Sequence, residues 1–152
     1  MKVNPHRSSL GMDAHVMALL CYLAAFVLAW IPYIQYVAPL APLIIFFIEK
    51  ESPFVKFHAI QAFILVLINW VLTIIFSIIS SIIVAAMWRN AIYGYGRGLG
   101  GIGIITALSV IIGIILTVFA IIAMVKAYGY FEYKIPVIGN LAEKFSKKGM
   151  PR

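Results

Sequence analysis

The residues with chemical capacity gather at one place in the chain. Residues 53–63 read PFVKFHAIQAF, and they set His58 and Gln61 one helical turn apart at the start of a long apolar run. Asn69, Thr73, Ser77 and Ser80 follow within that run. At 100° per residue, Asn69 lies about 20° from His58, Ser80 about 40°, Thr73 about 60°, Ser77 about 100° and Gln61 about −60°. One sector about 160° wide therefore holds nearly every polar residue of the segment, with Ser81 just outside it. Hydrocarbon cannot satisfy such groups, so the sector must face protein or a cavity. Three chemistries fit it: hydrogen-bonded helix ends, a proton or solute path, and a metal or haem site in which His15 joins His58 near Asp13, Glu49 and Glu51. The spacing of these residues matches no metal signature. Nor does any Ser/His/Asp or Cys/His set have nucleophile spacing, so an enzymatic role has no positive support.

The elements that must position this sector belong to a membrane. The 152 residues are 64% hydrophobic and 11% charged, against roughly half and a quarter in soluble domains. A soluble fold of this size could not bury so much Ile, Leu, Val and Phe. Four apolar segments are expected as spans, at about 14–31, 33–48, 55–88 and 102–126, followed by a tail at 127–152. Lys2 and Arg7 before the first run resemble a signal peptide, but that run leads straight into a second apolar segment and is read as a helix. The second segment contains Pro39 and Pro42 and reaches only about 24 Å, so it is a kinked span or a re-entrant loop. The expectation is an all-α, polytopic four-helix bundle forming a single integral membrane domain.

Charge decides between those options. With four spans, ten of the 12 Lys and Arg residues fall on one side, leaving Arg89 and Arg97 on the other. A re-entrant second segment leaves a weaker split of 4 against 8. Lys and Arg collect on the cytoplasmic face, so both termini are expected there, in the cytoplasmic (inner) membrane. Trp30, Tyr33, Tyr36, Trp88, Tyr93 and Tyr95 then form an outer aromatic belt, and Tyr128, Tyr130 and Tyr133 an inner one.

Other stripes speak to packing. Ser109, Gly113 and Thr117 repeat at every fourth residue, the pattern that lets backbones approach closely, and Ala18, Cys21 and Ala25 do similar work in the first span. Cys21 is the lone cysteine, so it makes no intrachain disulfide and reads as a small packing residue. GYGRGLGGIG lacks the ending of a phosphate loop and reads as a connection. In the tail, Ile138, Leu141, Ala142 and Phe145 share one helical face, with Asn140 and Glu143 as a cap pair. Lys144, Lys147 and Lys148 lie off that face. A short amphipathic helix on anionic lipid headgroups is expected, and the net charge of +7 fits such a surface better than nucleic acid.

The segment APLIIFFIEKESPFVKFHAIQAF resembles the signature of a group of small four-helix membrane proteins with no assigned activity. Pro42, Leu43, Ile44, Ser52, Phe54, Val55, His58, Gln61 and Ala62 carry the likeness. KAYGYFEYKIPVIG is similar to the group's ending, through Ala127, Gly129, Glu132, Tyr133 and Pro136. The resemblance runs from about residue 14 to 140. It implies kinship with some magnetosome membrane proteins and with the Tic twenty-like component of chloroplast inner-envelope protein import. A non-enzymatic protein working through contacts, as a scaffold or translocation-associated subunit without a cofactor, is the leading expectation. Its partners would be lipids, other membrane proteins or further copies of itself. A small solute, ion or proton carrier using the polar sector is the alternative, and a haem or metal binding protein the second alternative.

Overall fold

The computed structural model describes residues 1–29, 31–92 and 99–148. Five helices are present among them: α1 (Ala14–Ala29), α2 (Leu40–Ile48), α3 (Pro53–Ile92), α4 (Leu99–Tyr128) and α5 (Ile138–Lys148). A 3-10 turn, Ile34–Tyr36, separates α1 from α2. Extended pairing is limited to two isolated bridges among the described residues, Lys2 with Phe131 and Arg7 with Asp13. Trp30, Tyr93, Tyr95 and Arg97, and part of the glycine loop, lie outside the described residues.

Two helices are long and apolar enough to cross a bilayer, over Pro53–Arg89 and Gly101–Tyr128. They contain the third and fourth expected spans and overrun them at both ends. α1 is apolar but has 16 residues. The expected span at 33–48 does not form as one helix. Tyr33 takes a left-handed φ of 66°, the 3-10 turn follows, and α2 has nine residues. Pro39 starts that helix afresh, and nine residues reach only about 14 Å.

The chain divides into two compact units, residues 1–67 with 118–152, and residues 68–117. The first unit buries one stripe of α1, formed by Ala14, Met17, Ala18, Cys21, Tyr22 and Ala25. α1 packs on α2 and the 3-10 turn. The beginning of α3 is buried almost without a break, from Phe54 to Ala62. Ser52 caps α3, its Oγ accepting from the Val55 N–H at 3.2 Å, and Pro53 takes the first helical position, where no N–H is needed.

α4 ends in a Schellman turn. The Tyr130 N–H donates to the Ala127 carbonyl at 3.0 Å, and the Phe131 N–H to the Lys126 carbonyl at 2.9 Å. The left-handed position of that turn, at φ 59°, is occupied by Tyr130 in place of the usual glycine. Such a conformation costs a non-glycine residue about 1–2 kcal/mol.

α5 starts two residues before the expected Asn140 cap, after Val137 at φ 66°. Glu143 instead pairs with Lys134 at 2.8 Å. Gly139 is required sterically, because an added Cβ would lie 2.5 Å from Lys134 Cβ. The expected apolar stripe of α5 is divided. Ile138 and Ala142 are buried, Ala142 in a cluster with Phe57 and Ile60, whereas Leu141 and Phe145 are exposed. Protein thus takes part of the face that was assigned to lipid. Lys144 is exposed, and the side chains of Lys147 and Lys148 lie outside the described set.

The second unit consists of Ile68–Ile92 from α3 and the α4 residues up to Thr117. Its outer surface is aliphatic, with Val71, Ile75, Ile78, Ile104, Val110 and Ile114 exposed. Such a surface requires lipid or another transmembrane helix.

Candidate functional site: a closed polar head and an open groove

Every residue of the head described here lies in the first unit. His58 and Gln61 are both fully buried there. Gln61 Nε2 donates to the Tyr133 carbonyl and to the Tyr22 hydroxyl, each at 3.0 Å, while Gln61 Oε1 accepts from the Ile135 N–H at 3.4 Å. A carbonyl can only accept and a backbone N–H only donate, so these partners fix the amide orientation. Tyr22 already accepts from Gln61, which leaves its proton for His58 Nδ1 at 3.0 Å. His58 is therefore the Nε2–H tautomer. That Nε2 faces the backbone of Phe131 without a closed hydrogen bond and is the unsatisfied donor of the head.

An aromatic layer surrounds this chain of bonds. Phe54 meets His58 edge-on at 4.6 Å between centroids and stacks on Tyr130 at 5.8 Å. The Tyr130 hydroxyl lies 2.9 Å from His15 Nδ1, and the two rings are 4.8 Å apart. Tyr130, at the left-handed position of the turn, gives its ring to the head, and Tyr133 gives its backbone carbonyl.

The N-terminal segment straps the same head. Val3 N–H donates to the Tyr130 carbonyl at 2.8 Å. His6 Nδ1 bonds the Asn4 carbonyl at 2.9 Å and its Nε2 meets Ser52 Oγ at 2.7 Å. The Asn4 carbonyl can only accept, so His6 carries a proton on Nδ1, the nitrogen that accepts in His58. Beside it, the buried Glu49 carboxylate sits at the start of α3. It accepts from the Ser9 hydroxyl and from the N–H groups of Ser52 at 2.9 Å, Glu51 at 3.0 Å and Ser9 at 3.1 Å. Burial pushes its pKa up, but these donors together outweigh burial and hold it below the usual carboxylate value. A helix N-terminus suits such an anion. Among the described residues, no group of three or more His, Cys, Asp or Glu side chains gathers as metal ligands.

Sequence reasoning placed His58 and Gln61 together with Glu49 nearby as a candidate metal ligand, but missed Tyr22 and Ser9 as partners and read Tyr130 only as part of an aromatic belt. Tyr22 sits in an apolar run and carries no local signal. Glu49 beside Lys50 and Glu51 carries no sign that it accepts from the N–H groups at the start of α3.

Asn69, Thr73, Ser77 and Ser80 do not continue the buried head. They belong to the second unit, where they line an open groove of about 400 Å³ with Thr106, Ser109 and Gly113. Asn69, Thr73 and Ser77 are exposed, and Ser80 is half-buried. Thr73 Oγ1 donates to the Asn69 carbonyl, Ser109 Oγ to that of Thr106 and Thr117 Oγ1 to that of Gly113, each at 2.8 Å. These hydroxyls are satisfied by their own helices. Ser109, Gly113 and Thr117 are half-buried, and an added Cβ at Gly113 would meet nothing.

Two long apolar helices, together with a polar head bonded to itself, define a helical membrane protein. The sequence matches the magnetosome magnetite crystal formation protein family over residues 13–142, and the chain belongs to that family. It is similar to a UPF0132 membrane protein of Methanocaldococcus jannaschii, 33% identical over 141 residues, 93% of this chain and 96% of that one. A second such protein of that organism is 31% identical over 140 residues, covering 92% of this chain and 75% of its own length. One from Archaeoglobus fulgidus is 31% identical over 106 residues, 70% of this chain and 82% of that protein. No solved structure matches. The magnetosome side of the resemblance is thus shown, while the chloroplast import component rests on motif likeness alone.

Proposed function

We propose that the protein is a non-enzymatic integral membrane scaffold that acts through protein contacts, as a small assembly or translocation-associated subunit. The observation that carries this reading is how the head uses its polar atoms. His58, Gln61, Tyr22 and Glu49 are spent holding α1, α3, the N-terminal segment and the 130–135 segment together. Groups used in that way position a fold and leave surfaces for partners. The orientation proposed is both termini on the cytoplasmic side of the inner membrane, with Lys144, Lys147 and Lys148 toward anionic headgroups. The family's description concerns magnetite crystal formation. We carry over the membrane setting alone; of the acidic side chains, Glu49 is turned into backbone N–H groups and Glu143 is paired with Lys134. Affinity isolation from native membranes after in-cell crosslinking tests the reading. Reproducible capture of specific membrane proteins supports it, and a preparation that captures no other chain in any growth condition opposes it.

The open groove favours a second reading, a small solute, ion or proton carrier working along Asn69, Thr73, Ser77 and Ser80. Purified protein in liposomes that dissipates an imposed proton or cation gradient supports it. Liposomes as tight as empty ones remove it.

A further inference from the structure

We infer that the end of α4 carries a binding site for an anionic phospholipid, with its phosphate held by Lys2 and Lys126 and an acyl chain on the aliphatic stripe beneath them. The site lies wholly in the first unit and uses none of the side chains that bond the head together. It stands apart from the scaffold reading, because its partner is lipid and not protein.

The Schellman turn builds the site. Its bond from the Phe131 N–H to the Lys126 carbonyl, at 2.9 Å, folds Phe131 back over the last turn of α4. Residues joined in this way usually touch through apolar side chains, but here the helical partner is a lysine. The Lys126 ammonium lies 5.6 Å from the centre of the Phe131 ring. The N-terminal segment brings a second cation. Lys2 bridges directly to Phe131, so both side chains leave the same face of the pairing, and the Lys2 ammonium is 5.8 Å from the same ring. Both lysines and the ring are exposed. Among the described residues, neither ammonium is ion-paired with a carboxylate. Two like charges gathered on one ring repel, and an exposed ring offsets little of that repulsion. A shared anion removes it.

The surroundings say which anion. The apolar span of α4 ends at Tyr128, so Lys126 stands in its last turn, where a lysine reaches the headgroups. Below it, Val118, Ile121 and Val125 are exposed and follow one another three and four residues apart on one face of α4. A soluble phosphate would leave that stripe bare. A phospholipid meets both halves, since its phosphate takes the cations while its chain covers the stripe.

The test uses the full-length protein in phosphatidylcholine vesicles that carry a small fraction of spin-labelled phosphatidylglycerol. The motionally restricted fraction of the label, compared with that of spin-labelled phosphatidylcholine, reads the preference for the anionic lipid. Lys2→Gln and Lys126→Gln should each lower that preference about three- to fivefold, and together they should abolish it. Lys126→Arg, which keeps the charge, should retain it. Lys50→Gln changes an exposed lysine elsewhere in the first unit and should leave it unaltered. Helicity must be preserved in each variant. Lys2→Gln alone decides the matter if Lys126→Gln fails to insert, because backbone atoms make the Lys2 bridge. Inorganic phosphate, compared with chloride at equal ionic strength, separates the two sources of the anion. Equal effects of the two salts support the lipid, whereas displacement by phosphate alone assigns the lysines to a soluble anion and overturns the inference. A preference that survives the double variant overturns it as well. So does one that falls as far in Lys50→Gln, which would mark diffuse attraction to the surface.

Discussion

The two units treat polar side chains in opposite ways. In the first, Gln61 bonds residues 39, 72 and 74 positions away in sequence, and Glu49 gathers a residue 40 positions away. In the second, hydroxyls bond carbonyls three or four residues back on the same helix. The first arrangement makes polar groups the joints of a tertiary structure. The second neutralises them locally and leaves the helix faces free to meet something else. A count of polar residues on a helical wheel does not separate these cases, because both present the same sector.

The largest contrast should come from Gln61→Leu. It strands the Tyr133 carbonyl and the Ile135 N–H in a buried place, and each unsatisfied group costs roughly 1–3 kcal/mol. Denaturation in detergent should show a loss of about 3 kcal/mol or more. A loss under 1 kcal/mol would mean that the head is not held by these joints.

Gly139→Ala comes next. Its Cβ would collide with Lys134, so about 1–3 kcal/mol of local strain should loosen α5. The readout is faster proteolysis after residue 136 with the helical signal of the rest unchanged. A tail as resistant as that of the wild type would contradict the steric requirement.

A smaller effect depends on pH. The Glu49 carboxyl has a folded pKa below the ordinary value of 4.5. Its contribution to stability is therefore full above the unfolded value and is lost as pH falls through the folded one. The protection of the amides of residues 8–10, relative to their intrinsic exchange, should fall below about pH 4.5 in the wild type. Glu49→Gln should already be poorly protected at neutral pH and lose that pH dependence; an unaltered profile would assign the transition to another group.

Thr73→Ala and Ser77→Ala close the series. Because the Thr73 hydroxyl serves its own helix, each change should alter monomer stability by less than about 0.5 kcal/mol. A cost near that of Gln61→Leu would erase the distinction between the units.

The helical class and the two long spans are legible from composition and run length, because a hydrocarbon solvent imposes strong rules on backbone bonding. His58 and Gln61 are legible as a pair, because polar groups at helical spacing in an apolar run need partners. The partners themselves are not legible. Tyr22 looks like any interior aromatic, and Ser9 reaches Glu49 only after the N-terminal segment folds back. The segment at 33–48 is legible as apolar and interrupted by prolines, but the left-handed Tyr33 that breaks it into a 3-10 turn and a nine-residue helix carries no signal in the sequence. Asn69 to Ser80 share a sector with His58, yet a wheel records direction and not the presence of a neighbour.

The left-handed turn at Tyr130 has a consequence for assembly order. A tyrosine there is unfavourable until its hydroxyl finds His15 and its carbonyl receives the Val3 N–H. Glycine would close the helix unconditionally. With tyrosine, the last turn of α4 behaves as a latch that engages only when α1 and the amino-terminal segment have arrived. A chain whose first residues are displaced, by truncation or by a bulky fusion, should therefore fray at the far end of α4, some 127 positions away in sequence.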